Sequence, residues 1–411
     1  MTDYFDRNET RPRKTREAAI FRDFKAILSI TRPHASALRK QTRDIDITRV
    51  RRCEDLARIP VVRGAQIAQM ISEDPPYGGR LASRSGFMRH LFFRAASGHG
   101  RDWWHAARAM HAADFVKGDI VLNCASYHMA HGGHMVESGA AELGCAVIPA
   151  GSGKVDRQLH AIHQLKPTAF CGKPGLLRRI LETAAEKNFD VSSIRKALVF
   201  GAPLSTHFRR EALARGVVVR QAYTTSETGI VAYETSLPDG SLNKGMIVNE
   251  GLIVEIVAPG TSEPVRRGDI GEVVVTRLNV DFPILRVGTG DLSREIEGPS
   301  PCGRTNMRIE GWMGRVDDVA RVGERQIFPS QIIEMSDRHA CVGRMRLVLG
   351  EKGGRVDPTL CVEGPGDDEQ LRARLRATIS EVLGFEARVD IVGPGTLPDD
   401  GRLIVDERVP V

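Results

Sequence analysis

Three observations in the sequence predict an α/β fold in two domains. The chain has 411 residues, more than a single compact core usually holds, so two domains are expected. Between residues 102 and 219, short apolar runs alternate with stretches of helical length, a pattern typical of a parallel sheet covered by helices. Beyond Glu227, apolar runs follow one another with no helical stretch between them, which predicts an attached antiparallel β unit.

The larger, N-terminal domain is predicted to span residues 1–314 and a small α+β C-terminal domain residues 315–411. Roughly the first 75 residues are expected to form helices interrupted at Pro33 and Pro60. Asp102 is suited to cap a helix that starts at Trp103, and Pro174 is suited to the first position of another. Further helices are predicted at 135–143, 158–164, 331–338 and 369–383, and strands near 121 and at 145–148, 169–171, 197–200, 217–219, 230–233, 252–257, 272–277, 345–349 and 359–362.

The net charge of +6 comes from the N-terminal segment, since residues 1–63 hold 16 Lys or Arg against 9 Asp or Glu. This excess can mark a surface for an anionic partner, such as nucleic acid, a membrane or coenzyme A. It can equally be the solvated face of helices that bury Phe21 and Phe24. The second interpretation is favoured and no nucleic-acid partner is expected, because no RNA- or DNA-binding motif accompanies the charge.

The seven cysteines form no C-x-x-C pair, so neither a disulfide framework nor a cysteine zinc site is predicted. No run of about 20 apolar residues occurs, so no membrane association is expected. The first residues lack the apolar segment of a secretory signal, which predicts a cytoplasmic protein.

Residues 221–229 place five hydroxyl side chains around Glu227 directly after a predicted buried strand. Ligand sites in α/β sheets lie at the carboxyl ends of strands. A carboxylate beside hydroxyls suits a magnesium ion on a nucleotide phosphate. A Ser/Thr turn closed by a glutamate explains the same residues equally well.

Two further segments carry charge between glycines. Asp291 follows Gly290 at the end of a predicted strand, where it can accept the hydroxyls of a ribose, although Gly-Asp is also a common turn dipeptide. Arg315 precedes Asp317 and Asp318 at the predicted domain boundary. That cluster is either a hinge with an anion contact or a solvated charge cluster.

In this order and spacing, these segments resemble the phenylacetate–coenzyme A ligases of the adenylate-forming superfamily. Residues 223–227 resemble the family's Tyr-Gly-x-x-Glu segment, and 289–291 its ribose-binding segment. Residues 314–318, followed by Phe-Pro-Ser-Gln at 328–331, resemble the crossover between the two domains. The resemblance covers essentially the whole chain and implies a large adenylate-forming N-terminal domain with a small mobile C-terminal domain.

The resemblance implies a two-step reaction that uses ATP, Mg²⁺ and coenzyme A. A carboxylate, expected to be a small aromatic or similar acid, attacks the α-phosphorus of ATP to give an acyl-adenylate and pyrophosphate. A thiol then takes the acyl group. The sequence leaves open whether that thiol belongs to coenzyme A or to an acyl carrier protein, whether the chain is a non-catalytic nucleotide- and acyl-binding paralogue, and whether it forms a homodimer.

Roles carry over from the family residue by residue. Glu227 would bind magnesium with Thr225, Asp291 would hold the ribose, and Arg315 would contact ribose or phosphate. Asp317 would be the hinge, and Arg402 would stand at the place of the catalytic lysine. Nucleotide binding is also implied for Ser97, Gly98, Gly100, Gly201, Ala202, Tyr223 and Thr224, and an acyl pocket for Tyr127, His128, Gly132, Gly133 and His134.

The chain departs from the family on the phosphate side. The phosphate loop Ser-Ser-Gly-Thr-Thr-Gly-Lys-Pro aligns with residues 94–101, which keep one serine and two glycines and carry Arg94 and Arg101. Arg402 keeps the charge of the catalytic lysine but not its compact shape, so slowed adenylation is expected. Residues 233–240 lack the cysteines and histidine that bind zinc in some members, and no zinc is predicted.

His128, His131 and His134 have a spacing that metal sites also show. The two glycines before His134 favour a loop against a pocket instead. No carboxylate or cysteine accompanies the three rings in this stretch, so a metal site is disfavoured.

Overall fold

The computed structural model describes residues 4–64, 66, 69, 84–88, 92–97, 101–128, 130–280, 283–339, 341–364, 366, 368–398, 400 and 402–408; for residues 34, 36, 84–88 and 92–97 it describes the backbone alone. The chain divides into two compact units. The larger comprises residues 1–204, 208–289 and 293–312, and the smaller residues 205–207, 290–292 and 313–411. The division into functional domains at 314/315, and the mobility of the second domain, stay predictions.

The helices in the described ranges alternate with strands through the middle of the chain. They are Arg13–Thr31 (α1), Ser36–Gln41 (α2), Ala106–Ala112 (α3), Gly132–Leu143 (α4), Val155–Leu165 (α5), Pro174–Glu186 (α6), Thr206–Ala214 (α7), Pro329–Arg338 (α8) and Glu369–Leu383 (α9). Short 3₁₀ helices lie at Arg7–Thr10, Arg32–His34, Ile47–Arg49, Cys53–Arg58 and Val316–Asp318.

The strands group into several sheets. They are Arg84–Met88 (β1), Phe92–Ser97 (β2), Ile120–Asn123 (β3), Ala146–Ile148 (β4), Ala169–Gly172 (β5), Lys196–Val199 (β6), Val218–Thr225 (β7), Gly229–Tyr233 (β8), Met246–Val248 (β9), Leu252–Val257 (β10), Gly271–Arg277 (β11), Ile284–Ser293 (β12), Arg308–Ile309 (β13), Ala320–Val322 (β14), Arg325–Ile327 (β15), Met345–Lys352 (β16), Arg355–Glu363 (β17), Arg388–Val392 (β18) and Ile404–Asp406 (β19).

An eight-stranded sheet in the order β13-β9-β8-β7-β6-β5-β3-β4 forms the centre of the larger unit. The strands from β4 to β7 pair in parallel, and β8, β9 and β13 continue the sheet in antiparallel pairs. β7 is therefore the last parallel strand, and the chain turns back on itself where it ends. This turn is the first point in the sheet at which the chain reverses without a helical crossover.

The parallel strands are buried on both faces, as a sheet covered by helices requires. Val121 and Cys171 point to a core shared with α3 and α4, whereas Leu122 and Phe170 point to one shared with α5, α6 and α7. The alternation of side chains along a strand explains why neighbouring residues enter different cores.

A three-stranded sheet, β10-β11-β12, completes the larger unit. Val254 and Val273 pack with the antiparallel end of the large sheet. Ile253 and Leu285 point the other way and pack with Phe24 of the N-terminal helices. The helical segment predicted from the first 75 residues thus covers this sheet, and its apolar side chains face inward.

The smaller unit is α+β. Its four-stranded sheet has the order β18-β17-β16-β19, next to a hairpin of β14 and β15. One core holds Leu347 and Leu360 of the sheet together with Ile332 of α8 and Leu375 of α9. The mixed pairing, parallel at β16–β19 and β17–β18, gives the small unit its own sheet and core.

Two local predictions about helices were wrong. The helix after Asp102 begins at Ala106, because the Asp102 carboxylate accepts the Ala106 and Ala107 amides at 2.7 and 2.9 Å while Trp103 lies in the preceding turn. Gly132 and Gly133 form the first turn of α4 and not a loop. A Cβ at Gly133 would lie 2.6 Å from the Tyr127 ring, so glycine is needed there for packing.

Within the described ranges, none of the helices has the combination of length and apolar content that a membrane span requires. All seven cysteines have free thiols.

Candidate active site

The turn between β7 and β8 carries the acidic segment. Tyr223 and Thr225 lie inside β7, which runs through residue 225, so the prediction that this segment follows the strand was wrong by several residues. The strand end was placed too early because polar side chains interrupt the apolar run, although the backbone of β7 continues to pair with β8 as far as Thr225 and Gly229. Residues 226–228 form the turn itself, and Glu227 is half-buried there.

Hydroxyl groups brace this turn from inside. The Thr225 and Thr228 hydroxyl oxygens lie 2.8 Å apart, and the Thr228 amide donates to Thr225 Oγ1 at 3.2 Å. A threonine hydroxyl has one proton and two lone pairs. Most of the bonding capacity of Thr225 is therefore used within the turn, and Glu227 is left as the stronger candidate for a cation.

The residues of the turn fit a magnesium ion that arrives with a nucleotide. Mg²⁺ usually keeps several waters and binds one or two carboxylates together with substrate phosphates. Glu227 supplies one carboxylate, and no group of three or more His, Cys, Asp and Glu in the described part of the chain could hold a metal ion by itself.

Tyr223 connects the acidic turn's strand to β12. Its hydroxyl donates to Thr289 Oγ1 at 3.3 Å, and Thr289 donates to the Val273 carbonyl at 2.9 Å. Thr289 was not among the residues singled out individually for a site role in the sequence. These two hydrogen bonds hold Thr289, the first residue of the Thr-Gly-Asp segment, beside β7.

Gly201 and Ala202 follow β6 at the same edge of the sheet as the end of β7. Both are exposed, and Gly201 has a φ of +75°. The Gln221 side-chain amide donates to the Ala202 carbonyl at 3.0 Å, which joins the segment after β6 to β7. Ala202, one of the two predicted adenine-lining residues, thus contacts the strand that carries Tyr223 and Thr224 through Gln221.

In the smaller unit, Asp291 and Arg315 are paired. Arg315 Nη1 lies 2.8 Å from Asp291 Oδ1, and the two residues form an antiparallel bridge. Gly290, with a φ of +71°, permits this pairing, because a Cβ there would lie 2.8 Å from Arg315 Nη2. The two residues predicted for ribose and phosphate therefore lie side by side.

Arg402 has an exposed side chain and a fixed backbone. Its amide donates to Asp400 Oδ1 at 3.0 Å, and its carbonyl accepts from Arg346 Nε at 3.1 Å. Arg346 also donates to the Pro398 carbonyl and pairs with Asp400. The buried Arg346 of β16 therefore holds the loop in which Arg402 lies.

Asp317, the predicted hinge, lies in the 3₁₀ helix Val316–Asp318. Burial raises the pKa of the neighbouring Asp318, against the opposing charges of Arg315 and Arg402. The crossover segment is thus a cluster of charges of both signs around one short helix.

The predicted acyl-pocket residues cluster where β3 ends and α4 begins. Tyr127 accepts from Asn123 Nδ2 at 2.7 Å and donates to Glu137 Oε1 at 2.9 Å. Burial and Glu137 raise the pKa of Tyr127. Gly133 lies against this ring, and Gly132 lies near Ala125 and Ser126. His134 meets the ring edge-on with ring centres 5.3 Å apart, and His128 is exposed.

Of the three histidines, His128 is exposed, and His131 and His134 contact different aromatic rings. His131 stacks on Trp104 with ring centres 4.3 Å apart and an angle of 13°, while His134 faces Tyr127 and lies 3.5 Å from Glu137. The rings belong to separate contacts, which is the arrangement expected of packing histidines.

On the phosphate side, Ser97 ends β2, where the backbone alone is described. Gly98 and Gly100 lie outside the described residues. Arg101 has an exposed side chain 4.0 Å from Glu142.

Sequence reasoning missed a buried group next to the acidic turn: Trp103, Trp104 and Arg277. A Cβ at Gly229, which closes the turn, would lie 2.6 Å from the Trp104 ring. Arg277 donates to the Thr228 carbonyl at 3.3 Å and to the Trp103 carbonyl. A Trp-Trp pair and an arginine that ends the apolar run Val-Val-Val-Thr-Arg were the available signs in the sequence.

Comparison with known proteins agrees with this geometry. Residues 96–280 match the family model for AMP-binding enzymes. The chain is 28% identical over 305 residues to the phenylacetate–coenzyme A ligase of Aromatoleum evansii, covering 70% of this chain and 68% of that one. It is 26% identical over 323 residues to the phenylacetate–coenzyme A ligase of Thermus thermophilus, covering 72% and 73%.

Among solved structures, 2-hydroxyisobutyryl-CoA ligase in its postadenylation state, in complex with an acyl-AMP, superposes with a TM-score of 0.83. The match covers 99% of this chain and 93% of the other at 23% identity. The amide bond synthetase McbA of Marinactinospora thermotolerans gives a TM-score of 0.53 over 73% of this chain and 63% of that one, at 21% identity. The fold is that of the adenylate-forming ligases. Within that class, the chain is similar in sequence to the phenylacetate–coenzyme A ligases, which confirms the resemblance seen in the motifs.

Proposed function

We propose that this protein activates a carboxylic acid with ATP and transfers the acyl group to coenzyme A. The observation that carries the proposal is the braced turn at the end of the last parallel strand: it carries Glu227, and the strand before it holds Tyr223 and contacts the segment after β6 through Gln221. The matches to AMP-binding enzymes and phenylacetate–coenzyme A ligases support the same reaction.

In the first step, a substrate carboxylate oxygen bonds to the α-phosphorus of ATP, the bond to the β-phosphate oxygen breaks, and pyrophosphate leaves. Tyr223 and the backbone at Gly201 and Ala202 would receive the adenine. Asp291 would accept the ribose hydroxyls, with Arg315 beside it to contact ribose or phosphate. Magnesium, when bound, neutralises phosphate charge, and Glu227 is the residue that would hold it.

In the second step, the coenzyme A thiol loses its proton and forms a thioester with the acyl carbon, and AMP leaves. Tyr127, His128, Gly132, Gly133 and His134 would shape the acyl side, for which an aromatic or similarly small acid is proposed. A carrier-protein thiol is the alternative acceptor. A homodimer stays a prediction.

Arg402 and the altered phosphate loop favour a second candidate, a paralogue with slow or no turnover that keeps nucleotide affinity. Arginine spreads its charge over a planar fork, whereas lysine presents a compact ammonium. The loop around Arg402 is held by Arg346 and Asp400, so the backbone from which the cation extends is fixed, while the shape of the cation differs from that of lysine.

Pyrophosphate release and hydroxamate trapping with ATP, Mg²⁺ and a panel of aryl, hydroxy and fatty acids test the proposal. Acid-dependent product is expected, and adding coenzyme A or a carrier protein then identifies the acceptor. Glu227→Gln should lower the adenylation rate about a hundredfold or more, because it removes the charge that holds magnesium. Glu263→Gln, at an exposed position, is the matched control.

Arg402→Lys separates the two candidates. A higher adenylation rate indicates a site limited by the shape of the cation. Absence of pyrophosphate and hydroxamate with every acid in both the native protein and Arg402→Lys, with ATP binding intact by calorimetry, would reject the enzyme and favour the binding protein.

A further inference from the structure

Arg277 ends β11 and is 2% exposed, which is unusual for an arginine. Its guanidinium donates from Nη1 to the Thr228 carbonyl at 3.3 Å and from Nη2 to the Trp103 carbonyl. Thr228 belongs to the turn that carries Glu227, and Trp103 to the turn at residues 101–104. One buried side chain therefore joins two turns that lie more than 120 residues apart in sequence.

The charged guanidinium of Arg277 contacts neutral groups. Its guanidinium carbon lies 3.9 Å from the centre of the Trp103 ring and 5.1 Å from that of Trp104. Among the described residues, no carboxylate lies within ion-pair distance of it. Burial lowers the pKa of Arg277 to about 9, against the attraction of Asp102, so the group stays a cation at neutral pH.

Burying a cation among carbonyls and rings costs solvation free energy, and no carboxylate of the described residues lies close enough to offset that cost by an ion pair. Packing alone therefore does not account for the residue. What an apolar side chain would lack is the pair of directed donors and the positive charge beside the acidic turn.

Trp104 supports the same turn from another side. Its ring lies against Gly229, where a Cβ would approach it to 2.6 Å. Asn249 Nδ2 donates to the His105 carbonyl at 2.8 Å and to the Ile230 carbonyl at 3.2 Å. It therefore links the residue after the 101–104 turn to the residue after Gly229. The guanidinium is thus the one charged element in a layer of contacts between the two turns in the described structure.

We propose that Arg277 is a positioning residue for the reaction: it holds the turn bearing Glu227 at a fixed place against the 101–104 turn. In its absence, Glu227 would sample several positions and hold magnesium less well. The functional part of this inference rests on the proposed function, since it takes Glu227 as the magnesium-binding carboxylate, whereas the structural part does not.

The structural part is tested by hydrogen–deuterium exchange on the whole protein without ligand. Arg277→Met keeps the length and the contact with the indole rings but loses both donors and the charge. Amides at 226–229 and 101–104 should exchange about tenfold faster, as expected for losing charge-assisted hydrogen bonds, with no change in α9. In Arg277→Lys, the exchange rates of these amides should lie between those of the native protein and Arg277→Met. The Arg266 side chain is 90% exposed, so Arg266→Met should show the native exchange rates.

The functional part is tested by the magnesium dependence of pyrophosphate release. Arg277→Met should raise the Mg²⁺ concentration for half-maximal rate and lower kcat about tenfold or more, while the KM for the carboxylic acid stays within about twofold. Arg277→Lys should recover part of the loss. A variant that is merely less stable would lower kcat with the folded fraction and leave the magnesium dependence unchanged.

Unchanged exchange at 226–229 in Arg277→Met would overturn the positioning role, whatever the activity. Faster exchange with native magnesium dependence would overturn its link to Glu227. If the native protein releases no pyrophosphate with any acid, the proposed function fails on that result alone, and the exchange experiment still decides whether Arg277 holds the turn.

Discussion

Asp102 and His105 lie in one turn and titrate in opposite ways. Burial raises the pKa of Asp102 to about 6, although the Ala107 and Ala106 amides and Arg108 oppose the shift. Burial lowers the pKa of His105 to about 4, and the nearby charges of Arg277 and Arg108 lower it further. Both shifts mean that the folded protein favours the neutral form of each side chain.

The two groups therefore change stability in opposite directions between pH 4 and pH 6.5. The contribution of Asp102 is fully present below its ordinary pKa of 3.8 and is lost as pH rises through about 6. The contribution of His105 is present above its ordinary pKa of 6.5 and is lost as pH falls through about 4. Each amounts to on the order of 3 kcal/mol, so they largely cancel in the native protein.

Substitution separates these two contributions. Relative to the native protein, the thermal midpoint of Asp102→Asn should rise with pH across this window, and that of His105→Asn should fall. Asparagine tolerates the positive φ of 54° at His105 and keeps a capping oxygen at position 102. Melting curves at half-unit pH steps give the two slopes; parallel curves for all three proteins would contradict the shifts.

At the scale of the element, the turn between β7 and β8 depends on Gly229. Its φ is +74°, and a Cβ would lie 2.6 Å from the Trp104 ring. Gly229→Ala should therefore destabilise the protein by about 2–4 kcal/mol, from backbone strain and from displacement of Trp104. It should also lower adenylation, because the turn carries Glu227.

Gly268 separates strain from packing. It has a φ of +82° with open space around it, so Gly268→Ala carries the backbone strain without the clash. Chemical denaturation should show a loss of about 1 kcal/mol there. Equal losses in the two variants would mean that contact with Trp104 contributes nothing to the turn.

Elements that owe their form to local pattern could be predicted from the sequence. α6 begins at Pro174 and α9 spans Glu369–Leu383 as predicted, because a proline at N1 and a charged amphipathic stretch are local features. The end of β7 could not be predicted, since its polar residues pair with β8 through the backbone. Gly132 and Gly133 in α4 were misjudged because glycine usually indicates a turn, whereas Gly133 is required by its packing against the Tyr127 ring.

The candidate site shows the same limit. Glu227, Asp291 and Arg315 were singled out as candidates because they lie in motifs of contiguous residues. Arg277 was not, because its partners at Thr228 and Trp103 are 49 and 174 residues away. Contacts between residues so far apart in sequence are set by the fold. They cannot be predicted from sequence patterns with a period of two or of 3.6 residues, because those patterns report only local structure.

At the scale of the whole molecule, the chain forms two units, and the smaller one has a core of its own. That the smaller unit reorients between the two proposed half-reactions is a prediction, which residue 317 can test. The predicted hinge at Asp317 lies in a 3₁₀ helix whose hydrogen bonds are donated by the Asp318 and Val319 amides to Arg315 and Val316. Asp317→Pro therefore removes none of these bonds, because the Asp317 amide donates neither of them.

Proline fixes φ at position 317, so it should hinder a reorientation that needs this dihedral to change. We expect Asp317→Pro to keep pyrophosphate release within about threefold of the native rate and to slow acyl transfer to coenzyme A about a hundredfold. Asp317→Ala, which removes the carboxylate and leaves φ free, should keep both rates near native. Single-turnover measurements of each half-reaction test this, and equal slowing of both steps by proline would mean that residue 317 is not the hinge.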